Sequence, residues 1–294
     1  MVMTVVGDVG ARIMEYGPAG RNIFWQDLAF FGATLRQKGA FSHPGGSQFD
    51  LLDEHGNGIS EKETDFWIGQ YDVKVETSTR LTAASPIGAN TGLQIVRDIE
   101  ADPVTGEATV RQTVFNRSKQ RRKVSVWDRT WTMGPCLLAV PVETNAVLPE
   151  GWGFLSLKDG KWGAKPASGN PEAARQFQYK DGLLVIEPAG KTCQILMRSA
   201  KGWFAYASGD LMYLKQYAIG PGEYPWKNFP ASVWVSEQGW KKVGLMAEME
   251  PMGPLHDLEP GQSCSFQEKW RLIKLKSSVE NVEQFRKALK LHLP

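Results

Sequence analysis

Two glutamates separated by a single residue, Glu248 and Glu250 in the run GLMAEMEP, are the most informative chemical pair in this chain. In an extended strand, residues i and i+2 project to the same face. Two carboxyls held side by side split their pKa values, which suits a general base and a general acid working together. Met246 would share that face, while Leu245, Ala247 and Met249 would fill a core. A solvated or salt-bridged carboxylate pair is the plain alternative, and a bulge before Pro251 would exchange the faces. Lys215 in LMYLKQYAI and Asp128 in VWDRT are charges inside apolar, strand-like runs, so each needs a partner or a groove. Lys215 can pair with Glu248 or Glu250, or neutralise a ligand carboxylate. Arg12, on an early strand, can offer its fork of donors to hydroxyls or a carboxylate, or close an internal ion pair. The chain holds 11 tryptophans. Indoles are flat platforms for the C–H faces of sugars as well as core fillers; Trp25, Trp127, Trp203 and Trp234 are the candidates for a groove. Gly45 and Gly46 either let the backbone approach a ligand closely or simply turn a loop.

The elements that must position these residues read as strands. Period-2 alternation is clear in ATVRQTVFN and KVSVWDRTW, and turn residues punctuate the chain throughout. Asp102–Gly106 reads as a hairpin turn between GLQIVRDIEA and EATVRQTVFN, and Lys-Asp-Gly recurs in hairpin-like positions at 158–160 and 180–182. The run DFWIGQYDVKVETS reads as one strand. The basic run Lys119–Lys123 reads as a hairpin tip rather than a nucleic-acid patch. Helix signals are rare: a short helix after Asn170, and a C-terminal helix over about 279–293 capped by Ser278. From about Asp27 to Asp65 the chain is polar, Gly-rich and weakly periodic, as functional loops often are. Many short strands joined by tight turns, with no linker, predict one all-β domain over residues 1–294.

Composition excludes several classes. The 34 basic and 32 acidic residues leave a net charge of +2, so nothing draws the chain as a whole to nucleic acid or anionic membranes. No apolar run approaches the roughly 20 residues of a membrane span. Cys136, Cys193 and Cys264 are far apart and form no zinc pattern. Asp53, Glu54, Asn57 and Glu61 do not follow calcium-loop spacing. Phosphate-binding, dinucleotide and nucleophile-elbow motifs are missing, so neither metal nor cofactor is expected. As it stands the sequence points to the cytoplasm; an upstream leader would instead direct it to the periplasm or outside the cell.

Four blocks then occur in a telling order: VGARIMEYGPAGRNIFW, HPGGSQF, TVFNRSKQRRKVSVWDRTW and GLMAEMEPMGPLHDLEPGQSCSFQEKWRL. Together they resemble the galactose mutarotase-like superfamily, over nearly the whole chain to about Lys274. The nearest likeness is to an uncharacterised branch related to the aldose-1-epimerases. The resemblance implies an antiparallel β-supersandwich whose concave sheet binds a monosaccharide or oligosaccharide, uronic acids included. It also implies a Glu base, matched here by Glu248 or Glu250, and histidine acids. His43 in SHPGG is the best match for an acid and His55 a second. The histidine expected on a middle strand is replaced by Trp127, Asp128 and Arg129, which departs from the epimerase pattern. Three readings follow: an aldose-1-epimerase-like isomerase, a non-catalytic saccharide-binding protein, and an interaction module with a vestigial groove.

Overall fold

A computed structural model describes residues 1–31, 43–146, 148–158, 161–199, 201–236 and 245–293. The alternation read from the sequence becomes two antiparallel sheets. The first has ten strands: β1 (Val2–Val6), β2 (Arg12–Gly17), β3 (Ser47–Asp53), β8 (Arg122–Trp131), β17 (Ala247–Pro251), β16 (Ala231–Val235), β14 (Cys193–Met197), β10 (Trp152–Lys158) and β11 (Lys161–Lys165) in spatial order, with β18 (His256–Leu258) also on β8. The second has nine: β12 (Phe177–Lys180), β13 (Leu183–Ile186), β9 (Leu137–Pro141), β15 (Trp203–Tyr217), β19 (Ser263–Val279), β7 (Glu107–Asn116), β6 (Leu93–Ala101), β5 (Arg80–Ala84) and β4 (Asp72–Thr77). The inward faces share one core. Phe49, Leu51, Val124, Val126, Val233, Ala247 and Met249 of the first sheet meet Ile95, Val110, Val114, Tyr213, Phe266 and Trp270 of the second. Burying this much apolar surface on both inner faces is the main force holding the layers together.

The hairpins follow their turn chemistry. Asp102 accepts from the amides of Val104 and Thr105, and Gly106 takes φ +70° between β6 and β7. Asp181 and Gly182, both at positive φ, join β12 to β13. Asp159 and Gly160 of the other Lys-Asp-Gly lie outside the described residues. The expected hairpin at Lys119–Lys123 is instead a corner, because β7 and β8 belong to different sheets. Asn116 builds it: its amide donates to the carbonyls of Gln120 and Leu258, and its oxygen accepts from Ser118. The basic side chains there meet acids, Arg121 on Asp257 at 2.7 Å and Lys123 near Glu223 at 3.8 Å.

Two further expectations change. In DFWIG, Thr64–Ile68 forms a helical turn, α1, and the strand starts only at Asp72. Phe66, Trp67 and Ile68 are all buried, and three buried neighbours in a row fit a wedged turn, not an alternating strand. The short helix after Asn170 is α2 (Pro171–Ala174), capped as expected by the Asn170 side chain. A third turn, α3, spans Pro225–Asn228. At the C-terminus β19 continues to Val279, so Ser278 lies in a strand. The helix α4 runs Val282–His292 and its cap is Asn281, which accepts from the Gln284 amide at 3.0 Å. Its Phe285 and Leu289 cover the outer face of β15 and β9, on Met212, Leu214 and Leu137.

Candidate functional site

The site forms on the face of the ten-stranded sheet that points away from the core. On β17, Ala247 and Met249 enter the interlayer core, so Glu248 and Glu250 project outward. On β8, Val126 faces the core with Asp128 and Thr130, which leaves Trp127, Arg129 and Trp131 outward. Cross-strand register then assembles the group. Trp131 and Trp234 flank Glu248 on either side, Ser232 lies opposite Glu250, and Gln194 opposite Trp234. On β3, Gln48 lies opposite Arg129 and Asp50 opposite Trp127.

At its centre one guanidinium serves two carboxyls. Arg129 donates through Nε and Nη2 to the two oxygens of Glu248, at 2.8 and 3.0 Å, and its Nε lies 3.8 Å from Glu250. Gln194 donates to Glu250 at 2.8 Å. Both glutamate side chains are about 1% exposed and Arg129 is 12% exposed. Burial is the largest influence on either acid and raises both above the usual carboxylate range; Arg129 opposes it. For Glu248 the neighbouring Glu250 charge adds to the rise, and its pKa is pushed up to about 8. Two raised carboxyls this close to one guanidinium share their titration. Asp50 is also raised by burial, although Ser60 and the Leu51 amide donate to it.

Aromatic rings wall this group. Arg129 lies over Trp127 at 4.4 Å and over Trp67 at 4.8 Å. Trp25, Trp131 and Trp234 form a row, with centroids 5.4 and 5.7 Å apart. His43 packs edge-on to Trp67 at 5.3 Å and lies 5.5 Å from Trp131, which brings it to the same cluster. Trp226 abuts Trp127 at 5.6 Å and donates to the Gly56 carbonyl.

Arg12 sits behind this wall, fully buried. It donates to the carbonyls of Gly45 (2.9 Å) and Trp67 (3.3 Å) and lies 5.0 Å from the Trp67 ring. Burial, then the like charges of Arg129 and Arg97, lower its pKa to about 9. Gly45 and Gly46 have φ +92° and +75°, and a Cβ on either would meet a backbone oxygen, of Trp25 at 2.1 Å or of Ile13 at 2.5 Å. Close approach of the protein's own backbone accounts for this glycine pair.

Four candidates lie elsewhere. Lys215 and Asp128 pair with each other between the sheets, where Lys215 also donates to Thr130 (2.7 Å) and lies 3.2 Å from Glu268. Lys215 belongs to the second sheet, so the interlayer core separates it from Glu248 and Glu250. Alternation explains the Asp128 placement: it adjoins Trp127 in sequence and therefore faces the other way. Trp203 packs in the cluster beneath α4, on the far face of the second sheet. His55 is exposed in the Asp53–Asn57 loop, where Asp53 accepts from the amides of His55 and Asn57. Conversely, Trp67, Trp131, Gln48 and Gln194 join the site without having been singled out, and Arg129, noted only as standing where a histidine is expected, lies at its centre. Period-2 counting from Trp127 would have found Arg129 and Trp131; nothing in DFWIG reveals that its tryptophan stacks on two arginines.

Among the described residues no group of three or more His, Cys, Asp or Glu side chains could hold a metal, the three cysteines are free thiols, and no helix is long and apolar enough to cross a membrane.

No protein-family profile matches this chain, and no curated protein matches its sequence. Solved structures do. A protein from Synechocystis superimposes with a TM-score of 0.60 at 14% identity, over 92% of this chain and 91% of that one. A galactose mutarotase-like protein from Lactobacillus casei gives 0.58 at 11%, over 92% and 96%. A galactose mutarotase related enzyme from Lactobacillus acidophilus gives 0.56 at 9%, over 95% and 97%. These likenesses show that the chain has the galactose mutarotase-like fold.

Proposed function

We propose that the outer face around Arg129, Glu248 and Glu250 recognises a saccharide and exchanges its anomers, as an aldose-1-epimerase does. The observation that carries this reading is the carboxyl pair sharing one guanidinium inside a wall of tryptophans. Opening a hemiacetal requires a base to take the proton of the anomeric hydroxyl and an acid to protonate the ring oxygen. The C1–O5 bond then breaks, a carbonyl forms at C1, and rotation about C1–C2 precedes reclosure from the other side with the proton transfers reversed. Burial raises both carboxyls, Glu248 to about 8, so one of the pair can hold the proton that the ring oxygen needs while the other takes one up. His43, at the edge of the same aromatic cluster, is the proposed partner at the other end of the transfer. Trp127 and Trp234, both partly exposed, offer indole surface to sugar C–H groups, and the buried Trp131 backs Trp234. Arg12 positions this wall by holding the Gly45 and Trp67 carbonyls.

The near-complete burial of both glutamates favours a second reading, in which the face binds a saccharide, or only its own side chains, without turnover. Exchange NMR with neutral sugars, uronic acids and phosphosugars separates these. Faster anomer exchange for one sugar, abolished in the Glu248→Gln/Glu250→Gln double variant with its fold intact, supports the isomerase. Undiminished exchange in that variant overturns the assignment.

A further inference from the structure

Gln48 is fully buried, and neither its carboxamide oxygen nor its nitrogen has a hydrogen-bond partner. A buried amide with both ends unmet is costly, and native cores seldom carry one without a reason. Its place in the fold supplies one. Gln48 lies directly opposite Arg129 in the β3–β8 register, on the face that carries Glu248 and Glu250. Several nearby polar groups are engaged, Arg129 with Glu248, Gln194 with Glu250 and Ser232, Asp50 with Ser60, while Arg12 Nε and Trp127 Nε1 also lack a hydrogen-bond partner. Among the described residues, the one carboxamide at this centre with no side-chain bond is the one beside the guanidinium.

We propose that Gln48 reads the ligand, its carboxamide donating to one sugar oxygen and accepting from a hydroxyl, and so selects for a hydroxyl at one ring position. The inference rests on the saccharide reading above and adds a specificity residue to it. An uncharged group that both donates and accepts matches a hydroxyl, which does the same, better than it matches a carboxylate or phosphate, which only accept. Leaving such a group unpaired is what gives a site strong discrimination against an analogue lacking the hydroxyl.

The test uses the near-isosteric Gln48→Met variant of the full chain. Free of ligand, Q48M should melt at the same temperature or about 2–4 °C higher, because the substitution removes an unmet polar group. Titrations with glucose, galactose, mannose, glucuronic acid and their monodeoxy analogues give the second readout. The preferred sugar should bind Q48M about 10- to 100-fold more weakly than wild type. One deoxy analogue should show the same loss in wild type and no additional loss in Q48M. A lowered melting temperature, or failure to fold, means that the amide is already satisfied in the free protein and overturns the inference. Equal affinity of wild type and Q48M for the sugar overturns it while leaving the saccharide reading standing. If wild type binds no sugar of the panel, both fall together.

Discussion

Arg129 decides the character of the site. Its guanidinium makes two parallel bonds to Glu248 and lies within ion-pair reach of Glu250, all but removed from water. Taking away one member of a buried ionic group leaves charges without compensation, at about 3–5 kcal/mol. Arg129→Met should lose roughly this much by urea denaturation at about pH 9, above the raised Glu248 value, with a smaller deficit at about pH 6, where that carboxyl already carries its proton. The sign follows from linkage: without Arg129 the folded carboxyls rise further, so protonation at lower pH relieves the unfavourable charge. A deficit independent of pH would mean that Arg129 acts by packing on Trp67 and Trp127 instead. The glutamate pair was legible because strand geometry puts i and i+2 on one face. Asp128 takes the partner rather than the groove, because the same rule, applied to VWDRTW, separates it from Trp127. Gln48 carried no signal: a glutamine in a strand gives no indication of whether its amide will find a partner.

At the scale of elements, the site depends on loops crossing over the sheet. Gly45 and Gly46 bring the segment after His43 against the backbone of Trp25 and Ile13, with no room for a Cβ. Gly45→Ala should destabilise the protein by about 1–3 kcal/mol, combining positive-φ strain with a backbone clash, and should displace Trp25 and His43 from Trp131. A melting temperature unchanged from wild type would refute this. The cap of α4 offers a milder test. Asn281→Ala removes the bond to the Gln284 amide and should cost about 1 kcal/mol in chemical denaturation, while Ser278→Ala should cost far less. Hairpins and long strands were legible from turn residues and alternation. The corner at Asn116 was not: a change of sheet is set by a side chain whose partner, Leu258, is 142 positions away. The α1 turn was hidden for a similar reason, since the burial of Phe66, Trp67 and Ile68 is a tertiary outcome.

Across the whole molecule, a charged group in the interlayer core ties the sheets together. Lys215 on β15 reaches Asp128 and Thr130 on β8 of the opposite sheet, while Glu268 on β19 approaches Lys215 and accepts from Trp270. These contacts hold the strand whose other face presents Arg129, so the core and the site share β8. Burial, then the Asp128 charge, push the Glu268 carboxyl from its ordinary 4.5 up to about 8, against the pull of Lys215. A raised acid contributes most below its unfolded pKa and loses that contribution as pH climbs through the folded value. The stability difference between wild type and Glu268→Gln should therefore shift against wild type between about pH 4.5 and 8, by at most about 1.4 kcal/mol per pH unit. A difference flat across that window would place the Glu268 pKa near its ordinary value. The all-β architecture was readable from the spacing of turns and strands, whereas this interlayer group was visible only as two charges in apolar strands with no indication that they meet. The central claim, a saccharide site on the outer face of the ten-stranded sheet, is tested most directly by the indole N–H resonances of the 11 tryptophans during titration with sugars. Trp127 and Trp234 should shift saturably while Trp203, beneath α4, and Trp270, in the interlayer core, stay fixed; sugar-dependent shifts confined to Trp203 or Trp270, or no shift with any sugar, would contradict a saccharide site on this face.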